Sequence, residues 1–129
     1  MTAEMWKNIR GSKNTPDQIM LSVKNDPAEN MTVRWRTDVS VTEGYALYRK
    51  KDSTDEWMRA DAKRNPFKTD VDESSFFFAD MTGLAPDTYY EYNCGSDENR
   101  SETFFFRTAA KNTEKFSFLC LSDVQTGGA

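Results

Sequence analysis

The sequence predicts an all-β domain, a seven-stranded antiparallel sandwich. Three observations predict it. Short runs alternate apolar and polar side chains, the period of a half-buried strand. Turn-forming Pro, Gly, Asn and Asp separate those runs. Aromatic residues, 13% of the chain, concentrate within them, as strands favour.

Residues 1–13 carry no sustained period and end in Gly11-Ser12-Lys13, so they read as a tail in which Met5, Trp6 and Ile9 form one short helical contact. The β pattern begins after Pro16. Ile19, Leu21 and Val23 alternate along residues 18–23, and Asn25-Asp26-Pro27 turns the chain. Met31, Val33 and Trp35 alternate with Thr32, Arg34 and Arg36 in the next strand. Residues 44–50 form a third and break into the charged stretch 51–56, after which Trp57 and Met58 start a short neighbour. The polar segment 61–73, with Pro66 inside it, is either a long loop or a weak edge strand. Residues 75–81, 88–94 and 103–108 complete the set.

Two triple-phenylalanine runs cannot direct every ring to one side of a sheet, because alternate side chains point oppositely. With Phe77, Ala79 and Met81 inward, Phe76 and Phe78 face out; with Phe104 and Phe106 inward, Phe105 faces out. Outward rings at Phe76, Phe78 and Phe105 either pack on neighbouring loops or mark where a following domain docks. Trp57 and Phe67 near loops offer only a weak pointer to carbohydrate.

Composition narrows the classes of function. The net charge is −4, with both signs interspersed, which excludes a basic nucleic-acid footprint. No stretch approaches the length of an apolar membrane span. Cys94 and Cys120 are too few for a disulfide framework, and each lies in an apolar run where a buried free thiol is the common outcome. The chain contains no histidine. A histidine-dependent triad, or a complete zinc or di-iron centre, cannot be made from these residues alone, so no catalytic residue and no cofactor is expected in this piece.

The most specific local phrase runs from Gly83-Leu84-Ala85-Pro86-Asp87 to Tyr92. Leu84 plugs the core, Pro86-Asp87 turns the backbone, and Thr88, Tyr90, Tyr92 and Cys94 share one strand face. This resembles the corner of immunoglobulin-like and fibronectin type III domains, where a tyrosine hydroxyl reaches back to upstream backbone. Tyr90 takes that role, a corner carbonyl is its expected partner, and Trp35 is expected in the same core, facing the corner across the sandwich.

The last fourteen residues, FSFLCLSDVQTGGA, carry an apolar run at 116–121 that leads into Ser122, Asp123, Val124, Gln125 and Thr126-Gly127-Gly128. A buried strand delivers a carboxylate to a loop in this way. By local sequence alone, Asp123 reads as readily as a turn residue.

The succession Pro16-x-x-Ile19-x-Leu21, Met31 to Thr37, Gly83 to Tyr92 and Phe106-Arg107-Thr108, followed by a strand ending in Asp, resembles the N-terminal domain of purple acid phosphatases and related calcineurin-like metallophosphoesterases. The resemblance covers residues 16–129. It implies a tail (1–13), a fibronectin III-like domain (14–108), a linker (109–115) and the truncated first strand of an α/β catalytic domain (116–129). It implies that the sandwich is non-catalytic and supports or docks on its own C-terminal catalytic domain. In the parent protein a dinuclear Fe, Zn or Mn centre then acts on a phosphoester, with Asp123 as a metal ligand. Gln125 stands where the family usually has His or Gly, and is a second-shell group or a carbonyl ligand.

The alternative is a free-standing fibronectin III-like adhesion or recognition module. Family tendency favours an extracellular or cell-surface location. Residues 116–121, deprived of their sheet, are expected either to move freely or to pair with a strand edge, including that of another copy.

Overall fold

In the computed structural model, which describes residues 2–70, 72–112 and 115–120, eight strands follow a short helix, α1 (Ala3–Arg10). They are β1 (Asp17–Ser22), β2 (Met31–Asp38), β3 (Tyr45–Lys50), β4 (Met58–Asp61), β5 (Lys63–Lys68), β6 (Glu73–Met81), β7 (Tyr89–Gly95) and β8 (Phe104–Arg107). One antiparallel sheet has the order β1-β2-β6-β5 and the other β4-β3-β7-β8.

The sandwich is therefore as expected, with eight strands in place of seven. The difference lies at residues 58–68. Ala62 donates its amide to the Gly44 carbonyl at 3.0 Å between β4 in one sheet and β5 in the other. Pro66 sits in β5 opposite Ser75; β5 is an edge strand, where a residue without an N–H is tolerated.

The β2–β6 pair sets the register of the core, with Met31 opposite Met81, Val33 opposite Ala79 and Trp35 opposite Phe77. All five of Val33, Trp35, Phe77, Ala79 and Met81 have no exposed surface. From the other sheet Ala46, Tyr48, Tyr90, Tyr92, Cys94 and Phe106 close over them. Burying each large side chain contributes about 1.5–3 kcal/mol, so the period-two alternation is the main driving force for this register. Trp35 stacks on Phe77 with ring centroids 5.4 Å apart, and its Cζ2 lies against Gly44. It belongs to the end of the core away from the Leu84 corner, not facing that corner.

Several boundaries differ from expectation. Strand β1 stops at Ser22, and Val23 is exposed. The N-terminal residues form a helix, yet Met5 and Ile9 are exposed, and Trp6 is instead covered by the Arg10 guanidinium at 4.2 Å. Residues after the helix are tied to the sandwich. The Ser12 amide and hydroxyl both donate to Asp72 at 2.8 Å, and Asp38 donates its amide to the Lys13 carbonyl at 2.7 Å. Burial raises the Asp72 pKa, but the bonds from Ser12 and Ser74 together with the nearby Arg36 charge outweigh it and hold the carboxyl below its ordinary range.

The described part of the terminal segment, Lys115 to Cys120, forms no strand with either sheet. Its Phe116, Phe118 and Leu119 are more than four-fifths exposed.

Candidate functional site

At the exit end of the sandwich, where the chain leaves β8, three segments are knotted together. The Ala85 amide donates to the Tyr90 hydroxyl at 2.7 Å, so the corner tyrosine meets an amide rather than the expected carbonyl. The Ala85 carbonyl is taken by Thr108, whose Oγ1 donates to it at 2.6 Å and accepts the Thr88 amide at 2.9 Å. Asp87 donates to the Ala109 carbonyl at 3.1 Å, and Ala109 donates to the Pro27 carbonyl at 3.0 Å. Lys111 then pairs with Glu29 at 2.7 Å. Leu84, 4% exposed, donates its amide to Glu29 as well. The sequence phrase Phe106-Arg107-Thr108 is thus the third strand of the corner, linking the turn before β7 to the way out.

Tyr90 stacks on Phe106, and Tyr92 packs between Phe104 and Phe106. Burial pushes the Tyr92 hydroxyl up to about 12 and the Cys94 thiol up to about 11. A thiol so disfavoured as thiolate is a poor nucleophile or metal ligand. These residues hold the scaffold together.

Outward-facing aromatics divide between the two sheets. On the β1-β2-β6-β5 face, Phe76 is covered by the Arg34 guanidinium at 5.2 Å and by the Phe67 ring edge at 5.8 Å, and Phe78 is half-buried. On the other face Phe105 is 59% and Tyr89 49% exposed, with centroids 6.3 Å apart. Lys51 reaches over Phe105 at 4.6 Å and Arg107 over Tyr89 at 5.6 Å. Trp57 lies under Arg49 at 4.2 Å, which engages one face of its ring.

At the opposite end a polar cavity of about 550 Å³ opens among the loops after β2 and β7. Tyr45 is held between the guanidinium groups of Arg59 and Arg100, at 3.9 and 4.2 Å, and donates its hydroxyl to Asp97 at 2.8 Å. That bond to a carboxylate raises the Tyr45 pKa. Arg100 is committed to structure, donating to the carbonyls of Tyr45 and Gly95 at 3.0 and 2.8 Å. The sequence reading did not find this cluster, whose members come from three distant segments.

Asp123 and Gln125 lie outside the described residues, so their donors have no geometry here. Among the described residues no three of Cys, Asp and Glu converge as a metal-binding group, and no helix is long and apolar enough to cross a membrane. The best-organised features, then, are the knotted exit and the exposed aromatic pair beside it.

A family model described as "Purple acid Phosphatase, N-terminal domain" matches residues 16–108. No curated protein sequence matches the chain. Among solved structures the chain is similar to the purple acid phosphatase PPD1 from yellow lupin (Lupinus luteus) seeds, at 17% identity and a TM-score of 0.62 over 75% of this chain. It is similar to astrotactin-2, a vertebrate-specific perforin-like membrane protein involved in neuronal development, at 19% identity and a TM-score of 0.53 over 78% of the chain. A computationally redesigned β sandwich gives 17% identity and a TM-score of 0.50 over 76% of this chain and 97% of its own. At such identities these likenesses establish the sandwich fold alone. The chain spans 20% of the lupin protein and 23% of astrotactin-2.

Proposed function

Because the chain belongs to the purple acid phosphatase N-terminal domain family, we propose that it is the non-catalytic leading sandwich of a longer metal-dependent phosphoesterase. In this reading residues 116–129 begin the catalytic domain. What supports it is the order of parts: a family-matched sandwich over 16–108, a pinned exit at Ala109 and Lys111, and then a strand-like run that ends in Asp123.

Asp123 is the metal-ligand candidate, and Gln125 supports it as a second-shell group or through its carbonyl oxygen. A dinuclear centre of Fe, Zn or Mn, when bound, would polarise a phosphoester and generate a hydroxide nucleophile. The sandwich itself fixes where the catalytic strand starts. Its corner hydrogen bonds leave few free residues between Lys111 and that strand.

The test is hydrolysis of nitrophenyl phosphate by the whole protein, with and without added metal. Metal-dependent turnover that falls at least about a hundredfold in Asp123→Asn is expected for loss of a first metal ligand. Absence of turnover with Fe, Zn and Mn would remove the reading and favour a free-standing recognition module.

A further inference from the structure

We infer that the Tyr89–Phe105 face of the β4-β3-β7-β8 sheet is the seat of the domain that follows, a refinement that rests on the function proposed above. Tyr89 and Phe105 place two neighbouring aromatic rings about half exposed on one face, and aromatic anchors of this kind are enriched at interfaces. Their position is what singles them out. Phe105 is three residues before Thr108, the knot residue, and Arg107 lies opposite Tyr89 in the β7–β8 ladder.

Tethering restricts what can reach this face. Lys111 is pinned to Glu29, and five residue steps separate it from Phe116. A fully extended chain covers at most about 3.6 Å per residue, so a domain starting at Phe116 begins within about 18 Å of Lys111. At that range docking is intramolecular, with a high effective concentration. Phe76 and Phe78 are on the other sheet and are partly buried, whereas Phe105 is 59% and Tyr89 49% exposed.

The surface also states the chemistry of its occupant. Lys51 has no carboxylate partner among the described residues and stands over both Phe105 and Tyr89, whereas Arg107 is already paired with Asp87. The complementary face is therefore an apolar hollow for the two rings, rimmed by carboxylate. Burial of Phe105 beside Lys51 would couple the orientation of the catalytic domain to the β7–β8 ladder.

Hydroxyl-radical footprinting of the whole protein, read by mass spectrometry, tests this. Phe67, 54% exposed on the other sheet, is the internal reference for Phe105 at 59%. Oxidation of Phe105 about tenfold slower than that of Phe67 is the expected result for a ring in a dry interface core. Equal rates overturn the inference, and so does protection that disappears on dilution, which would mark a second copy as the occupant. Nitrophenyl phosphate hydrolysis by the same sample separates the two claims. Turnover with an unprotected Phe105 overturns the docking face alone, whereas a protected Phe105 without turnover overturns the enzymatic reading alone.

Discussion

Tyr90 accepts the Ala85 amide proton at 2.7 Å across the corner before β7. The ring is 2% exposed and stacked on Phe106, so Tyr90→Phe should keep the packing and lose only the oxygen. The Ala85 amide is then left unpaired, at a cost of about 1–3 kcal/mol. Urea unfolding should show a lower midpoint with an unchanged slope; an unchanged midpoint would mean that the corner tyrosine acts through packing alone.

Thr108 and Arg107 are adjacent but should behave differently. Thr108→Val preserves shape yet strips the Ala85 carbonyl and the Thr88 amide of a partner, and should cost about 1–3 kcal/mol. Arg107 pairs with Asp87 where both side chains are about half exposed, and solvent screens such a pair. Arg107→Ala should move the urea midpoint little. Equal effects of the two substitutions would contradict the division between knot and surface.

Gly44 is required by close approach. A Cβ there would stand 2.9 Å from Trp35 Cζ2 and 3.3 Å from Phe77 Cδ1, in a packed core with nowhere to move. Gly44→Ala should destabilise by about 1–3 kcal/mol through overpacking. Tryptophan fluorescence followed through the urea transition would report both the loss and any shift of the indole.

The thiols should differ in reactivity. Cys120 is exposed and Cys94 buried, so a disulfide reagent should label Cys120 at once and Cys94 only as the chain unfolds. Burial raises Cys94 from an ordinary 9.0 to about 11, and Tyr92 from 10.0 to about 12. The folded state therefore keeps these protons longer than the unfolded chain. Their contribution to stability is whole below about pH 9 and is lost as the pH rises through 11 and 12. Urea midpoints should fall steeply over that range, and Cys94→Ala should remove the earlier part of the fall.

How much of this was legible in the sequence depends on the length scale of each signal. Leu84, Tyr90 and Tyr92 were readable because one strand's alternation and one Pro-Asp turn place them. Phe77 and Phe106 were assigned inward for the same reason. Strand β5 has no readable alternation, because its side chains are nearly all exposed and only backbone pairing with β6 creates it. Tyr45, Arg59 and Arg100 meet through three chain segments, and no local pattern encodes such a meeting. Asp123 drew its meaning from the parts preceding it, and its surroundings fall outside the described residues.

The knot at Thr108 also bears on biosynthesis. The Ala85 carbonyl, the Thr88 amide and the Pro27 carbonyl all find their partners in residues 108 and 109, although they are made much earlier. A nascent chain halted before Thr108 should pull only weakly on an arrest peptide, and one halted well after Ala109 should pull strongly. On that expectation the sandwich closes only when its last strand has emerged, by which time the segment through Asp123 has already been translated.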